Sequence, residues 1–149
     1  MMEELTPMLV SLGLGTLVGL EREAGRKPAG LRTHVLVCVG STVYVLISAH
    51  AAAIAPGNTY DPTRVVHGVI TGVGFLGAGA IIRREGMTHG LTTAASIWTA
   101  AAIGVAVGVR AYALASITTA IALLVLEVYR WLEKKVPRDD PNESRGGGD

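Results

Sequence analysis

Five stretches without a single Asp, Glu, Lys or Arg, at 5–20, 33–60, 65–82, 86–109 and 111–126, constrain this chain more than any other feature. A helix crossing the hydrocarbon core of a bilayer needs about 20 apolar residues, within a range of about 17 to 25. The second and fourth stretches satisfy that easily and the third is adequate. The first and fifth are short, and need flanking Glu and Arg side chains to snorkel toward water. Half of the 149 residues are hydrophobic and 17% are charged, with a mean hydropathy of +0.44. A soluble domain of this size keeps much of its surface in water and cannot hide such an excess. A soluble bundle of buried helices, the competing architecture, is therefore disfavoured. The pattern predicts an all-α polytopic membrane bundle of five transmembrane helices over residues 1–132. A polar, Gly-rich cytoplasmic tail at 133–149 is expected to be disordered.

Orientation follows from the cations, because Lys and Arg collect in cytoplasmic loops. With the N-terminus outside, Arg22, Arg26, Lys27, Arg32, Arg83, Arg84, Arg130, Lys134, Lys135, Arg138 and Arg145 are cytoplasmic, and only Arg64 and Arg110 are not. That bias requires an odd number of spans and puts the C-terminus inside. The acidic Met-Met-Glu-Glu start lacks a following Ala-x-Ala site, so the first apolar run reads as a retained span rather than a cleaved signal peptide. Tyr60 and Tyr112 fall at outer boundaries, Tyr129 and Trp131 at the inner one, as an interfacial belt places them. Pro56-Gly57-Asn58 supplies an outer turn, and Asp61-Pro62 reads as N-cap and first residue of the third helix.

Charge is concentrated in two blocks on one side. Residues 21–34 read Glu-Arg-Glu-Ala-Gly-Arg-Lys-Pro-Ala-Gly-Leu-Arg-Thr-His, and a fainter version returns at 83–93. Each runs from a Gly-rich span through Arg and Glu and a glycine into Gly-Leu-x-Thr, with Thr33 and Thr93 sixty positions apart. This is a possible two-helix internal repeat, the kind that brings functional residues to a repeat interface. Two turns that independently adopted basic residues and glycine would look the same. Thr33, and Thr92 or Thr93, are expected to cap the N-termini of spans two and four. The positive ends of those helix dipoles then face the same side, ready for an anionic group or an internal carboxylate.

A charge drawn below the headgroups needs a partner. Glu21, Arg22 and Glu23, with Arg32, His34 and Glu85, form the candidate charged network at the cytoplasmic helix ends. It serves equally as a static ion-pair clamp or as a functional site. On the outer side Asp61 and Arg64 stand at (i, i+3) spacing, which permits an ion pair.

Small residues dominate the spans. Gly-x-x-x-Gly recurs at Gly15/Gly19, Gly68/Gly72 and Gly104/Gly108, and Gly74, Gly77 and Gly79 extend the third span's set. Such positions let helices approach closely in lipid. Trp98, mid-span, is assigned to helix packing, and the single Cys38 to a small packing role. Net charge is +1, which leaves no nucleic-acid footprint. No His, Asp or Glu cluster has metal-ligand spacing, and no nucleophile stands beside a base. No enzyme, cofactor or metal is expected.

The motifs Gly-Leu-Glu-Arg-Glu at 19–23, Ala-Gly-Leu-Arg-Thr-His at 29–34, Gly-Phe-Leu-Gly-Ala-Gly at 74–79 and Gly-Leu-Thr-Thr-Ala-Ala at 90–95 followed by Trp98 occur in this order. Ala101-Ala102-Ile103-Gly104 and Gly108 continue the pattern. Over about residues 15–112 the chain resembles the MgtC/SapB family of membrane proteins, in a short form without the cytoplasmic C-terminal domain of longer members. The resemblance implies a multi-pass protein of the bacterial cytoplasmic (inner) membrane. It also implies a link to magnesium homeostasis and low-magnesium growth, and in pathogens to virulence. The activity it implies is regulation of a membrane complex such as the F-type ATP synthase. The alternative is a magnesium or other cation transporter or channel subunit. Mg²⁺ prefers carboxylate oxygens and water, and no span interior holds an Asp or Glu. Expected partners are the lipid bilayer, another membrane protein such as the ATP synthase, and further copies of the chain as a homo-oligomer.

Overall fold

The computed structural model describes residues 2–54, 61, 63–84 and 86–135. Five helices account for nearly all of them: α1 (Met2–Ala24), α2 (Leu31–Ile54), α3 (Thr63–Ala80), α4 (Leu91–Gly108) and α5 (Tyr112–Lys135). Between α3 and α4 lies an antiparallel hairpin of β1 (Ile82–Arg84) and β2 (Met87–His89), pairing Ile82 with His89, Arg83 with Thr88 and Arg84 with Met87. Among the described residues, three helices are long and apolar enough to cross a membrane: Leu31–Ile54, Leu91–Gly108 and the Tyr112–Leu132 part of α5. Charged residues at both ends of α1, and Arg64 in a short α3, set those two apart. The Pro56-Gly57-Asn58 turn, Tyr60, Pro62 and residues 136–149 of the expected tail lie outside the described residues.

The chain centres on α2. Its buried face is made of small and polar side chains, His34, Cys38, Ser41, Thr42, Val45 and Ser48, while Leu36, Tyr44, Ile47 and Ile54 point outward. That inversion suits lipid, where bulky apolar groups lose nothing by facing out and helix contact relies on close packing and hydrogen bonds. α1 and α4 grip α2 from two sides through glycines. A Cβ on Gly15 would come within 2.9 Å of Cys38 Cβ, and one on Gly19 within 2.8 Å of Leu31 Cα. On α4, a Cβ on Gly104 would strike the Cys38 carbonyl, and one on Gly108 would reach within 2.6 Å of Val45 Cβ. Cys38 is fully buried between them. Thr42 adds an interhelical bond, donating to the Gly104 carbonyl at 2.8 Å.

α3 leans on α4 instead. Val69 and Val73 join Ile97 and Ala101 in a second apolar cluster, and a Cβ on Gly77 would meet Ala94 at an ordinary 3.6 Å. Gly68, Gly72, Gly74 and Gly79 face open space, where an added Cβ would meet nothing within 4 Å. Gly15, Gly19, Gly77, Gly104 and Gly108 therefore lie at helix contacts, and the other four serve no packing among the described residues. Trp98 is 51% exposed rather than packed inside.

Two helix exits share one geometry. After α1, Lys27 N–H donates to Arg22 O at 3.0 Å and Arg26 N–H to Glu23 O at 2.9 Å. After α4, Ala111 N–H donates to Ala106 O at 2.8 Å and Arg110 N–H to Val107 O at 2.9 Å. Both are Schellman ends, with Arg26 (φ 50°) and Arg110 (φ 61°) in the left-handed position usually held by glycine.

The uncharged stretch 86–109 does not form one helix. Its first residues belong to the hairpin, and Gly90, at φ 89°, turns the chain into α4. The two charged blocks thus differ locally, a tight turn in one and a hairpin in the other. Their helix starts do correspond: the carbonyls of Gly30 and Gly90 accept the first helical bonds, from His34 N–H and Ala94 N–H.

Candidate functional site

The C-terminus of α1 delivers two adjacent charges, Glu21 and Arg22, to the junction with α4 and α5. Arg22 is 2% exposed and is the bulkiest fully buried side chain. Its Nη1 stands 3.6 Å from Glu21 Oε2, and its Nη2 donates to Thr93 Oγ1 on α4 at 3.3 Å. Glu21, itself 10% exposed, has a second cation: Arg130 Nη1 on α5 lies 3.7 Å from Oε1. Arg130 is held in turn by Glu127, one helical turn back, at 2.7 Å to both carboxylate oxygens. Two carboxylates and two guanidiniums therefore tie α1, α4 and α5 together with balanced charge.

Compensation is by ion pairing more than by hydrogen bonding. The 3.6 and 3.7 Å separations exceed the roughly 2.7–2.9 Å of a charge-assisted bond. Both Glu21 carboxylate oxygens and Arg22 Nε are buried with no hydrogen-bond partner among the described residues. A buried charge that lost its partner here would be left strongly uncompensated.

A second polar chain starts α2. His34 is fully buried; its Nδ1 lies 2.8 Å from the Gly30 carbonyl and its Nε2 3.0 Å from Ser96 Oγ. Ser96 Oγ also donates to the Thr93 carbonyl at 2.8 Å. A carbonyl only accepts, so Nδ1 carries a proton. With Ser96's one proton on Thr93 O, Nε2 must donate as well; a neutral ring instead requires Ser96 to turn its proton toward Nε2. Thr93 is shared, with its hydroxyl engaged by Arg22 and its carbonyl by Ser96.

The threonine-capping expectation is corrected. α2 and α4 begin at Leu31 and Leu91, ahead of Thr33 and Thr92/Thr93, so all three threonines lie inside first turns. Gly90 is the N-cap of α4, with no side-chain cap bond. At α2 the carboxylate comes from within the protein, Glu23 Oε2 accepting from Leu31 N–H at 3.0 Å. Arg32 points to solvent and joins no ion pair among the described residues, while Glu85 lies outside them. Thr92 and His89 are exposed. Across the bundle, Asp61 accepts from the Thr63 hydroxyl and amide at 2.6 and 2.9 Å, and no ion pair within 4 Å joins it to Arg64. Glu4 meets His50 at 2.8 Å at that same end. Arg130 and Ser96 escape a reading of the sequence as site residues, since neither belongs to a charged block. Arg130, four residues past the end of an apolar run, is the one signal available there.

The family model that matches this chain is that of the MgtC family, and it covers residues 8–135. The chain belongs to the MgtC family. This MgtC-family protein is 42% identical over 128 residues to YhiD of Escherichia coli K12, whose name carries a provisional magnesium-transporter assignment. It is 38% identical over 140 residues to protein SapB of Bacillus subtilis, and 38% identical over 117 residues to protein MgtC of Brucella abortus. These alignments take in 84%, 89% and 78% of the chain but 59%, 60% and 47% of the relatives. The chain thus spans about half to three fifths of the curated relatives' length. No solved structure matches it. Family membership and the apolar helices together make it a bacterial membrane protein.

Proposed function

We propose that this MgtC-family protein is a non-enzymatic regulator in the bacterial inner membrane, acting through helix contacts on another membrane complex such as the F-type ATP synthase during low-magnesium adaptation. It crosses five times with its N-terminus outside and works as a homo-oligomer. The observation that carries the reading is Arg22: a guanidinium 2% exposed occupies the junction of α1, α4 and α5, its charge balanced by Glu21. An internally neutralised ion cluster that locks three helices at one junction suits a rigid docking element. Exposed Leu114, Ile117, Ile121 and Leu124 along α5 supply an apolar face for a neighbouring helix. Affinity purification of the tagged protein from magnesium-starved cells should bring down ATP synthase subunits, and its overexpression should lower ATP hydrolysis in membranes. Absence of both would dismiss this reading.

The name of the YhiD relative favours a second reading, a magnesium transporter or channel subunit. Purified protein in liposomes should then carry Mg²⁺ above empty vesicles, with flux abolished by Glu21→Gln. Flux indistinguishable from empty vesicles would remove that alternative.

A further inference from the structure

Between α2 and α3 runs an open groove of about 730 Å³, walled by Val37, Ser41 and Tyr44 on one side and Val65, Val69 and Val73 on the other, with Arg64 at its mouth. We propose that it holds one acyl chain of an anionic phospholipid whose phosphate sits on Arg64. The groove exists because α3 packs on α4 and leaves α2, and because three of its lining positions are glycines. A Cβ on Gly40, Gly68 or Gly72 would meet nothing within 4 Å, unlike Gly15 and Gly104, whose bareness a neighbouring helix uses. The width these three leave is therefore unfilled by the described residues.

Charge and length identify the occupant. Arg64 is exposed in the first turn of α3, where a membrane helix meets the headgroups. The nearby Asp61 carboxylate is engaged by Thr63, and no carboxylate within 4 Å pairs with Arg64 among the described residues. An unpaired guanidinium at that depth matches a phosphate. From Arg64 to Leu76, the deepest α3 residue of the groove, a helix rises about 18 Å, close to half of a roughly 30 Å hydrocarbon core. The groove is one leaflet deep. A second copy is the poorer fit: a two-fold contact along α3 brings like residues together, setting the two Arg64 charges at the same level.

The test is native mass spectrometry of the full chain released from nanodiscs containing equal phosphatidylglycerol and phosphatidylcholine. One phosphatidylglycerol should stay bound under activation that strips other lipid. Arg64→Gln should weaken that retention roughly tenfold, the loss of one charge-assisted contact, and level the headgroup preference. Gly72→Leu and Gly68→Leu, each built into open space, should lose the retained lipid whatever its headgroup while keeping the wild-type helix content. No tightly held lipid, or retention unchanged in a folded leucine variant, would overturn the proposal. So would efficient disulfide dimerisation of Gly72→Cys in membranes, since Cys38 is buried and the new thiol would then report a second copy in the groove.

Discussion

Arg22 and Thr93 lie 71 positions apart and meet through a guanidinium–hydroxyl hydrogen bond of 3.3 Å. The contact sits where α1 ends and α4 begins, and it couples the ion cluster to the His34–Ser96 chain because Thr93 serves both. A group that closes two networks transmits a change in either, so substitutions there should be non-additive.

Arg22→Gln leaves Glu21 buried with only Arg130, at 3.7 Å. Removing one partner of a buried pair costs about 3–5 kcal/mol, and the remaining cation places the expected loss near the lower figure. Reversible unfolding in mixed micelles measures it. The double variant Glu21→Gln/Arg22→Gln should recover part of the loss, since no lone charge is left buried. A double variant less stable than Arg22→Gln alone would contradict the pairing.

Gly104→Ala and Gly72→Ala separate used from unused glycines. The first drives a methyl into the Cys38 carbonyl, and overpacking of this kind costs about 1–3 kcal/mol. The second enters open space and should stay within about 0.5 kcal/mol of the wild type. Thermal melts of the two detergent-solubilised variants would show the difference, and equal losses would count against the α2–α4 contact.

Thr42→Val keeps the shape and deletes a hydroxyl that lies 2.8 Å from the Gly104 carbonyl and 3.1 Å from Cys38 O. Interhelical hydrogen bonds in membrane proteins average about 0.6 kcal/mol, reaching about 1.7 kcal/mol. A loss of about 1 kcal/mol, within that range, is expected in the same unfolding assay. Thr71→Val, whose hydroxyl bonds within its own helix at 2.9 Å, should cost less.

Asp61 governs the acid side of α3. The Thr63 hydroxyl and amide hold its carboxyl below the usual carboxylate range, with Arg64 and His67 assisting against a small opposing effect of burial. A depressed folded-state value means that the cap stabilises the helix above the unfolded pKa of about 3.9 and is lost as pH falls through the lower folded value. Amide exchange at Thr63–Val66 should therefore accelerate below about pH 4. In Asp61→Asn that acceleration should vanish; its persistence would exclude Asp61 as the titrating group.

Some of this architecture was legible in the residues. Helices with small-residue faces follow from Gly15/Gly19 and Gly104/Gly108, because spacing of four puts both glycines on one face. Glu21 and Arg22 announced a buried pair, being consecutive charges at the end of a short apolar run. Arg130 did not, since nothing local in α5 records that its end meets α1. The hairpin was hidden at the second charged block, where Gly86 and Gly90, both at positive φ, mark the turns on either side of its second strand. Thr33 and Thr93 misled for a simple reason: a threonine two residues past the true helix start has the same composition as one at it. Gly68 and Gly72 showed the opposite limit, a spacing that satisfies the packing rule without a partner helix among the described residues.

The position of Cys38 has a mechanical consequence. With Gly15 pressing from one side and Gly104 from the other, α1, α2 and α4 form a keel in which no helix can slide without moving backbone. α3 touches that keel chiefly along α4, whereas α5 joins it at both ends, through Ala115 in the Cys38 cluster and through the Arg130 bridge to Glu21. A bulkier residue at Gly15 or Gly104 therefore disturbs all three helices at once, because each meets Cys38 through backbone rather than through a side chain that can turn away.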